Sequence, residues 1–199
     1  YDDLEELDVV TGPGMNFGWP VFEGYDFSIN YISGNPANQD APNPLFGTGG
    51  CSQQYFTIKD LLKEATLGTP SWPNPCNPAQ QIPGTIPRFL HSRPVIDWRH
   101  GSGPSRTGIF NGNNAAVINI GAPGSPVSGP QFGGNCAVGG TWYDGNSFPT
   151  TYQNTYFFAD LGNGWIKNLT FDASGNPVGV RDFITGADGI TFIGIHPLT

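Results

Sequence analysis

The chain has 199 residues, of which 29 are glycine and 19 are proline, and only 12% are charged. Long amphipathic helices need alanine, leucine, glutamate and lysine in quantity, so this composition disfavours a helical protein. Aromatic residues make up 13% of the chain, which is too many for a disordered linker. The composition therefore predicts an all-β protein whose short aromatic strands are joined by many turns.

The net charge is −8, and the chain has only 8 lysines and arginines. A nucleic-acid-binding protein needs a basic face to neutralise phosphates, so we expect no nucleic-acid partner. No apolar run is long enough for a transmembrane helix, so we expect no membrane insertion. The first residues, YDDLEE, have neither the basic nor the apolar region of a signal peptide, and there is no initiator methionine. We expect that the chain was processed or cut from something longer.

In chain order, an apolar run at residues 7–10 ends at the turn sequence TGPG. Residues 35–93 are rich in proline, asparagine and glycine, and we predict an irregular surface insertion there. Cys51 and Cys76 bracket part of this insertion. They are candidates for a disulfide, which would indicate an oxidising compartment, although the cysteine count leaves the free thiols equally open.

One short helix is predicted within the insertion. Thr57 has the residue type of an N-cap, and Asp60 follows three residues later, close to the pattern of a capping box. Leu61 and Leu62 would lie on the buried face of this helix. Gly68 is expected to help end it.

Short strands are predicted throughout the second half of the chain, at residues 94–98, 115–120, 137–143, 155–160, 165–172 and 178–185. The last four are joined by short turns, and four strands in a meander make one propeller blade. We therefore predict one blade at residues 136–185 and the start of a further blade at 190–199. A β-sandwich uses strands of the same length and is the alternative fold.

Three sequence blocks resemble the glucose/sorbosone dehydrogenase family. They are LEELDVV with NFGWP and EG (residues 4–24), GGTWYDG with FP and Y (139–152), and YFFAD with GWI (156–166). The resemblance implies that residues 1–199 are the C-terminal portion of one six-bladed β-propeller with four-stranded antiparallel blades. In the first block, Gly18 would allow a sharp turn, Trp19 would pack between blades and Pro20 would end the strand pairing.

The same resemblance implies a secreted, cell-surface or periplasmic sugar (aldose) dehydrogenase that uses PQQ and calcium. In active relatives, a histidine base and an Arg-Asn pair lie upstream of the first block, a stretch that this chain does not contain. Gly162 stands where those relatives have a cofactor-binding lysine. PQQ carries three carboxylates, so missing cations would weaken its binding. The alternative is a non-catalytic secreted propeller that binds carbohydrate or another small molecule, or assembles on a surface, with the remainder of the propeller as its partner.

Four residues are candidates for a ligand or cofactor face: Arg99, His100, Asp160 and Arg181. Each also has an ordinary structural interpretation. His100 would be a loop histidine bonded to backbone, and Arg99 would pair with Asp97. Asp160 would cap a turn instead of binding calcium, and Arg181 would belong to an exposed ion pair. No residue is assigned as catalytic or as a metal ligand.

Three further residue types have two interpretations each. A sugar-stacking platform of tryptophans is one possibility, although propeller aromatics more often pack between blades; the residues are Trp72, Trp98, Trp142 and Trp165. Cys136 is predicted to be a small buried hydrophobe at the start of a strand. Asn168 begins the sequon Asn-Leu-Thr, a glycosylation site in a host that glycosylates.

Overall fold

The structure of the chain is a computed structural model, and it describes residues 3–190 and 193–194. Strands hold 41% of the residues and helices 7%, which confirms the all-β class. None of the sheets formed by these residues closes on itself. No helix within the same residues has the length and apolarity needed to cross a membrane. Most of the segment 190–199, predicted to start a further blade, lies outside the described residues.

The strands of the described region are, in chain order, β1 (Leu4–Leu7), β2 (Phe22–Glu23), β3 (Asp26–Phe27), β4 (Ala37–Pro42), β5 (Tyr55–Thr57), β6 (Leu62–Lys63), β7 (Pro73–Asn74), β8 (Asn77–Gln81), β9 (Phe89–Leu90), β10 (Ile96–Arg99), β11 (Ser105–Asn111), β12 (Asn114–Asn119), β13 (Ala137–Tyr143), β14 (Thr155–Asp160), β15 (Trp165–Phe171) and β16 (Pro177–Thr185). The α-helices are α1 (Ile29–Gly34) and α2 (Ile58–Leu61), and a 3₁₀ turn spans Thr150–Tyr152.

The sequence predicted one short helix, but the described residues form two. Helix α1 was missed because asparagine, tyrosine and serine give this stretch low helix propensity. It ends at Asn35, whose φ of 38° lies in the left-handed region and whose N–H bonds to the carbonyls of Ile32 and Tyr31.

The chain divides into two compact units. The first consists of Tyr1–Val9, Pro94–Ile109 and Val117–Thr199. The second consists of Val10–Arg93 and Phe110–Ala116. Each unit has its own buried hydrophobic residues, as described below.

The first unit contains two four-stranded sheets, with the strand orders β1-β10-β11-β12 and β13-β14-β15-β16. In the second of these sheets every neighbouring pair is antiparallel, and its four strands lie where the sequence predicted them. In the first sheet β1 is antiparallel to β10, so residues 8–95 are inserted between adjacent strands. The sequence did not predict this sheet, because the two partners lie far apart in the chain and β11 has no clear alternation of apolar and polar residues.

The core of the first unit lies between these sheets and includes side chains from both, together with residues of the connection between them. Its buried members are Ile96, Trp98, Ile120, Val127, Phe132, Phe158, Trp165, Leu169 and Val180. Trp98 is fully buried, and its ring centroid lies 5.6–5.7 Å from those of Phe132, Phe158 and Trp165. These tilted and edge-on contacts are the arrangements that aromatic rings prefer.

The second unit contains the segment 35–93 that was predicted to be irregular. That prediction is wrong in part, because the segment carries short strands and a buried cluster of Ala41, Phe56, Leu61, Ile82 and Ile86. Most of its strands have only two or three residues, so no period-2 pattern could reveal them.

Helix α2 begins as predicted. Thr57 Oγ1 accepts from the N–H of Asp60 at 3.3 Å, and Asp60 Oδ2 accepts from the N–H of Thr57 at 2.8 Å, which completes a capping box. Leu61 and Leu62 are buried. The helix nevertheless ends at Leu61, before Gly68, because Leu62 starts strand β6, which pairs in parallel with β9.

Gly18 forms the predicted sharp turn. Its φ is 99°, and a Cβ at this position would come within 2.6 Å of Phe22 Cβ and 2.9 Å of His91 Cδ2. Trp19, which was predicted to pack between blades, is 55% exposed in this chain. The residues that follow the turn, Val21 and Phe22, take the buried positions instead.

Cys51 and Cys76 form a disulfide with a Cα–Cα distance of 5.4 Å. The side-chain amide of Asn43 lies 3.5 and 3.6 Å from their two sulfur atoms, and its Oδ1 accepts from Asn74 Nδ2 at 2.9 Å. Cys136 is a free thiol, and the prediction that it is buried is wrong: it is exposed, because it lies in the loop before β13.

We expect the double substitution C51A/C76A to lower the free energy of unfolding of the second unit by about 3 kcal/mol. Without the disulfide, the unfolded chain is no longer closed into a loop between two residues that are 25 positions apart, so its conformational entropy rises. Urea titration followed by circular dichroism and tryptophan fluorescence measures the change. Cys136→Ala is the matched control and is expected to unfold like the wild type. An unchanged denaturation curve for the double variant would contradict the prediction.

Candidate functional site

The sheet formed by β13–β16 has two ends that carry different polar groups. The antiparallel order brings the end of β14 beside the start of β15 at one end, where Asp160 pairs with Trp165. At the opposite end Trp142, near the end of β13, pairs with Tyr156, near the start of β14. Strand β14 has 6 residues, so the ends are about 20 Å apart.

Asp160 is fully buried, and its carboxylate accepts four hydrogen bonds. Oδ2 accepts from the backbone N–H of Asn135 at 2.9 Å, from that of Cys136 at 3.0 Å and from Trp98 Nε1 at 3.4 Å. Oδ1 accepts from the N–H of Asn163 at 2.8 Å. A buried carboxylate is costly unless it is bonded in this way. Asp160 therefore joins the loop before β13 to the turn after β14, in agreement with the turn interpretation.

His100 and Arg99 lie beside the same loop. His100 Nε2 is 3.0 Å from Glu5 Oε1, and Glu5 Oε2 accepts from the N–H of Ala137 at 3.0 Å. The carbonyl of Arg99 accepts from the N–H of Gly134 at 3.2 Å. The sequence did not single out Glu5, because its role depends on contacts with residues that are remote in the chain.

Asp97, predicted as the partner of Arg99, forms a bidentate ion pair with Arg106, whose Nε lies 3.0 Å from Oδ1. The antiparallel register of β10 and β11 places these two residues opposite each other. Asp97 is fully buried, and a bidentate guanidinium satisfies both oxygens of such a carboxylate.

Arg181 lies apart from the other three candidates. It is exposed, and its Nη1 donates to the carbonyl of Thr151 at 3.0 Å. The neighbouring Asp182 pairs with Lys167, a buried lysine whose ammonium group lies 4.7 Å from the ring centroid of Phe132. The exposed ion pair predicted for Arg181, with Asp182 as its partner, is therefore not formed, because Asp182 pairs with the buried Lys167.

Asp160, Arg181 and Gly162 do not form a PQQ pocket within the part of the chain that the structure describes. The Asp160 carboxylate is occupied by N–H donors, and Arg181 lies elsewhere on the sheet. A Cβ at Gly162 would come within 2.7 Å of Asn135 Cβ, so the cofactor-binding lysine of active relatives would meet a neighbouring side chain there. Within the described residues, no three His, Cys, Asp or Glu side chains lie close enough to share a metal ion.

The four tryptophans do not form one stacking platform. Trp98 and Trp165 are buried in the core of the first unit. Trp72 belongs to the second unit, where its ring N–H donates to the carbonyl of Leu61 at 3.0 Å. Only Trp142, at 51%, has an exposed side chain among these four.

Trp142 lines an open cleft of about 440 Å³ in the first unit, together with Val9, Asn154, Phe171, Asp172, Ala173 and Gly175. The Trp142 ring centroid is 5.2 Å from that of Phe171 and 5.7 Å from that of Tyr156. The indole packs against these two rings while about half of the residue stays exposed. The cleft therefore has an aromatic wall, with one carboxylate and one carboxamide beside it.

A β-bulge precedes Trp142 in strand β13. The register with β14 shifts between Val138 and Thr141, and a Cβ at Gly140 would collide with the carbonyl of Phe157. Bulges re-aim the side chains that follow them. Gly140, the second glycine of the GGTWY block, therefore has a local role in presenting the tryptophan, a role that the sequence motif alone did not indicate.

Asp172 organises the turn between β15 and β16, on the same cleft. Its Oδ1 accepts from the backbone N–H of Ser174 at 2.8 Å and of Asn176 at 2.9 Å, and its Oδ2 accepts from Asn176 Nδ2 at 3.0 Å. The side-chain amide of Asn176, followed by the backbone N–H groups, holds the pKa of Asp172 below its ordinary value of 3.8. A carboxylate oxygen can accept two hydrogen bonds, so Oδ2 can accept one more.

Asn168, the first residue of the sequon, is fully buried, and its Nδ2 donates to Thr155 Oγ1 at 2.5 Å. This side chain is therefore inaccessible to glycosylation in the folded protein.

Comparisons of the chain with protein-family models, with curated proteins and with solved structures found no match.

Asp160→Asn is expected to lower the free energy of unfolding by about 3 kcal/mol. The substitution replaces one acceptor oxygen by an NH₂ group, which would lie against N–H donors and leave them without an acceptor. Chemical denaturation of the variant measures the loss. Asp144→Asn, the same change at an exposed residue, is the control and is expected to cost less than about 0.5 kcal/mol. Equal stability of the two variants would show that Asp160 does not anchor the loops.

We expect Asn176→Ala to raise the pKa of Asp172 toward 3.8, because its amide is the largest cause of the depression. Since the folded pKa is the lower one, the turn's stabilisation is complete above the ordinary pKa and is lost as the pH falls through the folded pKa. NMR titration of the side-chain carboxyl follows the change. Ser174→Ala keeps both backbone donors and should titrate like the wild type; the same titration curve for Asn176→Ala would contradict the assignment.

Proposed function

We propose that this chain forms two blades of an extracellular β-propeller of the glucose/sorbosone dehydrogenase type, and that it binds carbohydrate without oxidising it. The two four-stranded sheets of the first unit support the propeller. Within each sheet, neighbouring strands follow the order of the chain, and the sheets share one core. This order supports two consecutive blades, because a β-sandwich of the immunoglobulin type distributes its strands between sheets by Greek-key connections.

The disulfide between Cys51 and Cys76 supports an extracellular location. Disulfides form and persist in secreted proteins and in the periplasm, and they are rare in the reducing cytosol. The net charge of −8 and the absence of a basic cluster in the sequence disfavour a polyanionic ligand.

The observation that carries the binding proposal is the half-exposed indole of Trp142 in a cleft that also contains Asp172 and Asn154. The apolar C–H face of a pyranose ring packs on an aromatic face, and its hydroxyls bond to carboxylate and amide groups. The volume of the cleft lies within the range of small-molecule sites.

A PQQ-dependent oxidation is not part of the proposal. The Asp160 end of the sheet, where the family resemblance places its ligand-face residues, is held together by internal hydrogen bonds. Gly162 supplies no cation for the cofactor's carboxylates, and Arg181 donates to a backbone carbonyl elsewhere.

Trp142→Ala is expected to weaken glycan binding at least about tenfold, because the aromatic wall is the largest apolar surface of the site. Isothermal titration with gluco- and chito-oligosaccharides measures the affinity. Trp19→Ala, which removes a tryptophan of similar exposure from the second unit, is the control and should bind like the wild type.

Two results would overturn the proposed function. One is the absence of binding to any oligosaccharide by the wild-type chain. The other is sugar-dependent dye reduction by the chain after addition of PQQ and calcium, which would establish an oxidising enzyme instead.

A further inference from the structure

Among the described residues that line the Trp142 cleft, the one charged residue is acidic. Asp172 contributes a carboxylate, and the described residues that line the cleft include no lysine or arginine. The whole chain carries twice as many acidic as basic side chains, 16 against 8. A glycan with carboxylate or sulfate groups would therefore meet a like charge that no neighbouring cation in the lining offsets.

The carboxylate of Asp172 is fixed in place and keeps its charge. Two backbone N–H groups and the amide of Asn176 hold it, and the same contacts keep its pKa low, so it is ionised at neutral pH. Oδ2 accepts only one of these bonds, from Asn176, which leaves acceptor capacity for a ligand. A pre-positioned acceptor of this kind costs little conformational entropy on binding.

The exposed face of Trp142 adds a second attraction for positive charge. A cation within about 6 Å of an indole centroid is attracted by the ring's quadrupole, and tryptophan is the strongest of the aromatic side chains in this respect. Asp172 and Trp142 line the same cleft, so an amino sugar bound there would meet both a carboxylate and an indole. Neutral sugars keep only the packing and the hydroxyl bonds.

We propose that the ligand of the Trp142 cleft is a glycan of protonated amino sugars, such as glucosamine oligomers, with neutral sugars bound more weakly and uronates rejected. This inference rests on the proposed function, since it names the sugar class of the same site. It assigns Asp172 as the residue that determines charge selectivity and Trp142 as the residue that binds the ring.

The test compares three tetramers on the wild-type chain: glucosamine, N-acetylglucosamine and galacturonate. The first two share the same linked pyranose rings and differ at the nitrogen of each residue, which is a charged ammonium group in glucosamine and a neutral acetamide in N-acetylglucosamine. At low salt, and at a pH below the pKa of the sugar's amine, the glucosamine tetramer is expected to bind at least about fivefold more tightly than its acetylated counterpart. The galacturonate tetramer should bind most weakly. The difference should shrink at high salt, because salt screens exposed charges.

Two variants assign this selectivity to the cleft. Asp172→Asn keeps an oxygen that can accept the turn's N–H groups, and it should bring the two chito-tetramers to nearly equal affinity. Asn154→Asp adds a charge beside the same cleft at a left-handed position (φ 54°) that aspartate tolerates, and it should widen the difference. Asp144→Asn is the control for a change in net charge alone and should leave the ratio unchanged.

The outcomes separate the two proposals. If the acetylated and galacturonate tetramers bind as tightly as glucosamine at low salt, the charge selectivity is wrong while carbohydrate binding stands. If tetramethylammonium competes as well as glucosamine, the cleft is a general cation site and the amino-sugar assignment is wrong. If none of the three tetramers binds but a gluco-oligosaccharide does, the amino-sugar inference is wrong while carbohydrate binding stands; if no oligosaccharide binds, both proposals fail. A ratio that moves in opposite directions in Asp172→Asn and Asn154→Asp supports the inference.

Discussion

A buried carboxylate at the end of strand β14 sets the organisation of the first unit. The side chain of Asp160 has no access to water, so its charge must be balanced by hydrogen bonds within the protein. Its four donors come from the loop before β13, the turn after β14 and the indole of Trp98 in the other sheet. Trp98 therefore has two roles: its ring packs in the core, and its N–H donates a hydrogen bond to the buried carboxylate.

The two ends of the β13–β16 sheet show how one element combines rigidity with recognition. At the Asp160 end the polar groups bond to one another. At the other end a glycine bulge presents Trp142, and Asp172 holds a tight turn while retaining an acceptor for an incoming group. A sheet anchored at one end can carry a site at the other without relying on the site's own contacts for stability.

The sequence was informative where the structure is local. The last four strands, the capping box of Thr57 and the turn at Gly18 depend on neighbouring residues, and they were predicted close to their observed bounds. The site depended on remote contacts. Asp160 could be recognised as a turn residue, but its hydrogen-bond donors could not, because they are brought to it by loop packing. The ion pair of Asp97 with Arg106 likewise depends on strand register, which the sequence pattern does not reveal. Trp142 stood out as one of several tryptophans, and only its exposure distinguished it.

The insertion between β1 and β10 has a consequence for biosynthesis. A ribosome completes β1 well before it reaches β10, the strand that pairs with it, because the segment 8–95 must be made in between. Until then β1 presents unpaired backbone N–H and C=O groups, which are open to other chains. Residues 10–93 contain a disulfide and two buried clusters, so their early collapse would bring the chain ends on either side closer together. Synthesis in chain order therefore favours a segment 8–95 that folds quickly, because every delay prolongs the time for which β1 is unpaired and prone to aggregation.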